Sequence, residues 1–86
     1  MGKEEEILQL ANLFSGKLSG FLIDAVKEYV DHGENKLALE MLCDFLADNN
    51  VILNEFEYQE IIRLGVLLNL NVNDMRFAYL KTLILL

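Results

Sequence analysis

The side chains that could support catalysis are few, and their spacing argues against the common kinds of active site. His32 is the only histidine of the chain. A nucleophile–base pair would need a serine (Ser15 or Ser19) or Cys43 beside it, together with an orienting acid. A histidine next to a helix-ending glycine is usually structural, because its charged form interacts favourably with the helix end. We expect no catalytic residues, and a small enzyme built on His32 is only a third hypothesis.

Patterns for metals and nucleotides also fail. A carboxylate-bridged di-metal bundle uses Glu-x-x-His pairs, but Tyr29 stands three residues before the histidine. A calcium loop that began at Asp48 would have Leu53 in place of the turn glycine and Gln59 in place of the bidentate glutamate. The five glycines have no phosphate-binding spacing. We therefore expect no metal and no cofactor.

The chemistry that the sequence does offer is a concentration of carboxylates on one helix face. Glu40, Asp44 and Asp48 follow one another at steps of four residues. Like charges at this spacing destabilise a helix by roughly 0.2–0.5 kcal/mol per pair, so a face that meets cations would explain them. Leu37 projects near the same face, as an apolar anchor in a charged surround would. The predicted partner-binding surface also includes four acids before and at the preceding turn: Asp24, Glu28, Asp31 and Glu34.

Five short helices are predicted to position these residues. Apolar residues at helical spacing place them at about 3–14, 19 or 20 to 32, 34–48, 54–68, and 71 or 73 to the C-terminus. The third helix has an apolar arc of roughly 200°, wider than a surface helix needs, so it should be central. The pattern predicts an all-α fold, a compact bundle of about five short helices that forms a single domain over residues 1–86.

Local sequence signals predict where helices of this bundle begin, end and contact each other. Gly33 supplies the left-handed residue that commonly ends a helix, and Asn54 with Glu57 resembles a capping box. Gly65 lies inside the fourth helix, where glycine costs about 1 kcal/mol against alanine, so we expect a close helix contact there. The connector 51–53 is predicted to tuck into the core.

The composition constrains the partners. Fourteen acidic against seven basic residues give a net charge of −7, which disfavours direct binding of nucleic acid or of an anionic membrane. The same field would speed encounter with a basic partner. A bland alternative stays open, in which acidic residues simply keep a small apolar protein soluble.

The cellular compartment is predicted from three features that the sequence lacks. One cysteine cannot form an intramolecular disulfide. The N-terminal residues lack the layout of a signal peptide, and no apolar run reaches the length of about 18 residues that spans a membrane. These observations favour the cytoplasm.

One stretch has a specific pattern. It consists of Asp31-His-Gly-Glu34, Leu37-Ala-Leu-Glu40, Leu42-Cys-Asp44, Glu57-Tyr58 and Ile61 to Leu64-Gly65. With these residues about half of the chain, from Tyr29 to Leu70, resembles the MafI family of small bacterial immunity proteins. The run Gly-Glu-x-x-Leu-Ala-Leu-Glu-x-Leu-Cys-Asp is the most specific part.

The resemblance implies a cognate inhibitor that is made in the cytoplasm beside a secreted polymorphic or contact-dependent growth inhibition toxin. Such toxins often end in a nuclease domain, and an acidic helical protein suits the basic cleft of an RNase or tRNase. We predict an immunity protein that binds and neutralises the C-terminal domain of its toxin. The alternative is a helical adaptor that forms a homodimer through the C-terminal helix and has no inhibitory role.

Overall fold

The helix with the widest apolar arc lies at the centre of the structure, a computed structural model that describes residues 2–84. Over these residues the elements are α1 (Lys3–Leu13), α2 (Gly20–Asp31), α3 (Asn35–Asp48), α4 (Glu55–Leu67) and α5 (Met75–Lys81). The helix α3 packs against each of the other four. Its fully buried side chains are Ala38, Leu39, Leu42, Cys43 and Leu46. The predicted all-α compact bundle is therefore confirmed.

Side-chain caps mark the starts of α2 and α4, and a third cap, Asp74, precedes α5. The hydroxyl of Ser19 accepts a hydrogen bond from the backbone N–H of Leu22 at the start of α2. At the start of α4, Asn54 and Glu57 form the predicted capping box, with reciprocal bonds of 2.7 and 2.8 Å. Each cap satisfies N–H groups that have no partner inside the helix.

The turn between α2 and α3 depends on Gly33, as predicted. Its φ is +74°, in the left-handed region that side chains with a Cβ rarely adopt. The backbone N–H of Glu34 donates back to the carbonyl of Tyr29 at 2.9 Å, which closes the end of α2. Because the turn is short, α2 and α3 become packed neighbours.

The predicted close contact at Gly65 is also present. A Cβ added to this residue would lie 2.7 Å from Cγ1 of Val72 and 3.3 Å from Cε1 of Phe77. Glycine therefore lets α4 approach α5 and the segment that leads into it.

The predicted extent of the last helix is wrong. The helix α5 begins only after Asp74, whose side chain accepts from the N–H of Phe77, and it ends at Lys81. Beyond it the carbonyl of Leu83 accepts a hydrogen bond from the N–H of Leu53 at 2.9 Å. After Lys81 the backbone N–H groups of Thr82, Leu83 and Ile84 donate to the carbonyls three residues earlier, so tight turns replace the α-helical pattern. The last two leucines of the predicted helix lie outside the described residues.

The connector before α4 is the other side of this pairing. Val51 and Leu53 are buried, as predicted for this segment, whereas the side chain of Ile52 is exposed. Leu53 forms an isolated parallel bridge with Ile84. No helix in the described part of the chain is long and apolar enough to cross a membrane.

Candidate protein-interaction surface

An open groove lies between α2 and α3, beside the Gly33 turn. Its volume is about 580 Å³, and it is lined by Ala25, Glu28, Tyr29, His32, Glu34 and Leu37. Ala25, Glu28 and Tyr29 of α2 and its C-cap His32 follow the spacing i, i+3, i+4 and i+7, which is one edge of a helix. The two residues of the α3 side come from its N-terminal end, which the short turn places opposite the end of α2.

The walls of the groove are apolar and its rim is acidic. Tyr29 is half-buried and packs against the core, and Leu37 keeps 37% of its surface exposed. The carboxylates of Glu28 and Glu34 belong to exposed residues. Among residues 2–84 neither of them takes part in an ion pair. They are therefore available to a cation from outside the chain.

His32 has a defined orientation at one end of the groove. Its Nδ1 lies 2.8 Å from the backbone carbonyl oxygen of Glu28 and donates to it. In the part of the chain that the structure describes, no hydrogen bond joins His32 to Ser15, Ser19 or Cys43. Its geometry is that of a residue closing the end of α2.

Cys43 and the acids do not form a metal or thiolate site in the described residues. Cys43 is fully buried, and this burial raises the pKa of its thiol well above the ordinary value. No group of three or more histidine, cysteine, aspartate or glutamate side chains among residues 2–84 is arranged to hold a metal ion.

The acidic ladder of α3 meets a cation that belongs to the same chain. Arg76 on α5 donates from Nη1 to Oε2 of Glu40 and from Nε to Oδ1 of Asp44, both at 2.9 Å. The hydrogen bond to Asp44 is the largest cause of the raised pKa of Arg76. The repulsion between the two carboxylates is thus offset inside the protein, and they serve the packing of α5 on α3.

The remaining predicted residues are spread over the surface. Asp24 and Asp31 are exposed on α2 and do not line the groove. Asp48 is exposed at the far end of α3, about 20 Å along the helix axis from Glu34. The structure therefore brings together only Glu28, Glu34 and Leu37 of the predicted set around one concave surface.

Three groove residues and one neighbour are not among the residues predicted to contact a partner. Ala25, Tyr29 and His32 line the groove, and their helical spacing with Glu28 was a readable signal. Phe21 is 81% exposed and lies one turn before Ala25 on the same edge of α2. Its exposure depends on the packing of α2, which the apolar pattern alone does not give.

A second groove, between α1 and α4, differs in its charges. It has a volume of about 150 Å³, and its lining includes Leu13 and Phe56. Its acids are already paired, because Arg63 contacts Glu6 and Glu60, both at 3.0 Å. The groove between α2 and α3 is the larger one and has unpaired carboxylates at its rim.

Comparisons of this chain with protein-family models, with curated proteins and with solved structures found no significant match.

Proposed function

We propose that this protein is an immunity protein of the MafI type, which binds the basic C-terminal domain of a cognate secreted toxin and neutralises it in the cytoplasm. The toxin domain we expect is a nuclease of the RNase or tRNase class. The observation that carries the proposal is the α2–α3 groove, with an apolar wall and with carboxylates that no cation of the described chain occupies. The resemblance of residues 29–70 to the family gives the class of partner.

Charge complementarity supports a basic partner. The net charge of −7 is carried by a chain of 86 residues. The exposed acids Glu28, Asp31 and Glu34 lie near the turn end of α2, and Asp24 is exposed two turns before Asp31. A nuclease must hold phosphate groups and therefore presents a positive cleft. Opposite potentials steer such a pair together and raise the association rate.

The intramolecular pairing of Arg76 shifts the proposed surface relative to the sequence prediction. Glu40 and Asp44 are each bound to this guanidinium, so a partner would have to compete with it. The groove and the exposed acids of α2 need no such exchange. We therefore assign the contact with the toxin domain to the groove. Glu40, Asp44 and Asp48 then lie outside this contact and contribute only to the negative charge around it.

The first experiment concerns the neighbouring gene. We expect a large secreted protein with a variable, basic C-terminal domain to be encoded immediately upstream. Expressed alone in a bacterial host, that domain should arrest growth, and co-expression of this protein should restore growth. A neighbouring domain that stays toxic in its presence, and does not bind it when purified, would contradict the proposal.

Two matched double variants then test the surface. Glu28→Lys with Glu34→Lys changes the rim of the groove, whereas Glu5→Lys with Glu55→Lys makes the same change in net charge at exposed positions outside it. The groove variant should slow association with the toxin domain by roughly tenfold or more at low salt, and the control by much less. Higher salt should reduce the difference, because exposed charges are screened. Equal effects of the two variants would contradict this surface.

The homodimer through the last helix is the second candidate. Met75 is 87% exposed and Tyr79 is 46% exposed, one turn apart on α5, so this helix has an apolar outer edge. Sedimentation of the full chain and of a Met75→Glu variant distinguishes the two functions. A dimer that the variant abolishes, combined with no protection against the neighbouring toxin domain, would favour the adaptor.

A further inference from the structure

We propose that the α2–α3 groove is a seat for one arginine side chain that protrudes from the basic surface of the partner. This inference rests on the proposed function only in taking the partner to be a basic protein. It adds which side chain enters and which residues hold it.

The groove has room for a long side chain. Its volume of about 580 Å³ lies within the range of pockets that bind small ligands. The groove opens to solvent between two helices, so a side chain of a neighbouring protein can enter without any rearrangement of the core. Leu37 and Ala25 offer an apolar wall for the methylene groups of such a chain.

The chemistry of the lining fits a cation with a flat face. The lining includes one aromatic residue, Tyr29, and a guanidinium group stacks well on an aromatic ring. Glu28 and Glu34 add two carboxylates that are free of ion pairs within the described residues. A bound cation would thus meet an aromatic wall and an anionic rim.

Arginine fits this arrangement better than lysine. The two carboxylates come from different positions, one on α2 and the other at the N-terminal edge of α3, and the planar fork of arginine can donate in several directions at once. The guanidinium is also more weakly hydrated than an ammonium group, so it leaves water more readily. The ring of His32, whose Nδ1 donates to the carbonyl of Glu28, closes one end of the groove.

The test uses the isolated full-length protein and two small probes. Nα-acetyl-arginine methylamide and the matching lysine compound are titrated while backbone amide shifts are recorded by NMR. We expect saturable shifts at the groove residues Ala25, Glu28, Tyr29, His32 and Leu37, and binding of the lysine probe roughly two- to fivefold weaker. Equal binding of the two probes, or shifts spread evenly over the acidic surface, would overturn the proposal.

Variants show whether the named residues hold the probe. Glu28→Gln with Glu34→Gln should weaken arginine binding by roughly tenfold, and Tyr29→Leu by roughly two- to fivefold. Glu5→Gln with Glu55→Gln removes the same charge outside the groove and should leave binding nearly unchanged. Because Tyr29 packs against the core, its variant is compared only after thermal unfolding shows that it folds. If the Tyr29→Leu variant does not fold, the comparison of Glu28→Gln/Glu34→Gln with Glu5→Gln/Glu55→Gln decides whether the groove holds the probe.

The arginine seat and the proposed immunity function can fail independently, and the experiments distinguish the two failures. Protection against the toxin without selective binding of the arginine probe would overturn the seat and leave the immunity function standing. Selective binding of the probe without any neighbouring toxin would uphold the seat and contradict the function.

Discussion

Arg76 on α5 and Asp44 on α3 face each other through two hydrogen bonds, from Nε to Oδ1 at 2.9 Å and from Nη2 to Oδ2 at 3.5 Å. A third bond from the same guanidinium reaches Glu40 at 2.9 Å. The helix α5 has seven residues, too few to be stable alone in water. Its position therefore depends on contacts with α3, and within residues 2–84 this pairing supplies the side-chain hydrogen bonds between the two helices.

Replacing Arg76 with glutamine should lower the free energy of unfolding by about 1 kcal/mol. Both partners are partly exposed, which keeps the contribution of the ion pairs modest. The repulsion between Glu40 and Asp44 adds roughly 0.2–0.5 kcal/mol once the cation is gone. Urea unfolding measures the loss, with Lys81→Gln on the same helix as the control. A similar loss in both variants would argue against a specific role of the pairing.

Alanine at position 65 should destabilise the protein by about 1 kcal/mol, although alanine favours helices. The added Cβ would lie 2.7 Å from Cγ1 of Val72, and overpacking of this kind costs typically 1–3 kcal/mol, against a helix gain of about 1 kcal/mol. The substitution Val72→Ala removes the obstructing methyl group. In that background Gly65→Ala should cost less, and a double-mutant cycle measures the coupling. Strictly additive effects would show that the contact relaxes freely.

Glu57 should be sensitive to the loss of its oxygens more than to the loss of its charge. It is buried, and one of its oxygens accepts from the N–H of Asn54 and from Nζ of Lys17, both at 2.8 Å. Alanine removes the acceptor and should cost about 2 kcal/mol, whereas glutamine keeps an acceptor and should cost less. Chemical denaturation ranks the variants against Glu55→Ala, an exposed acid in the same helix turn. The reverse order of alanine and glutamine would contradict this explanation.

Cys43 should react with thiol reagents only when the protein opens. Its side chain is fully buried, and burial raises the pKa of the thiol, so neither access nor thiolate is present in the folded state. Labelling with a disulfide reagent should therefore be slow and should accelerate with urea in step with unfolding. Rapid labelling in the absence of denaturant would show that α3 separates from its neighbours locally.

Glu60 should contribute to the loss of stability in acid. Its hydrogen bond with Arg63 is the main cause that lowers its pKa below the ordinary value of 4.5. A carboxylate with a lowered folded pKa stabilises the protein above its unfolded pKa, and this contribution disappears as the pH falls through the folded value. The stability difference between the natural protein and Glu60→Gln should be below about 1 kcal/mol at neutral pH and should shrink in acid. Urea unfolding at several pH values measures it, and a constant difference would exclude the linkage.

The helices were predictable because their signals are local. The capping box of Asn54 and Glu57 and the positive φ of Gly33 are each decided within a few residues. The course of the chain after α5 is not local, because the carbonyl of Leu83 pairs with the N–H of Leu53, thirty residues earlier. The apolar residues after Lys81 have the local pattern of a continuing helix, so local sequence signals alone predict that α5 extends further.

The candidate surface was predictable in its charges and less so in its shape. The carboxylates of Glu28 and Glu34 follow from helix spacing, but the groove between them depends on how α2 packs against α3. Arg76 was missed because it lies 32 residues after Asp44 in the chain. The spacing of residues within one helix cannot predict an ion pair with a residue so far along the chain.

The hydrogen bond between Leu53 and Leu83 can form only late in the synthesis of the chain. The N–H of Leu53 gains its partner only after the last turns of the chain have been made. From the end of α3 to Ile84 the ribosome needs roughly 2–7 s at about 5–20 residues per second. The pairing of Leu53 with Leu83 cannot be completed before that interval has passed, so it belongs to the late steps of folding.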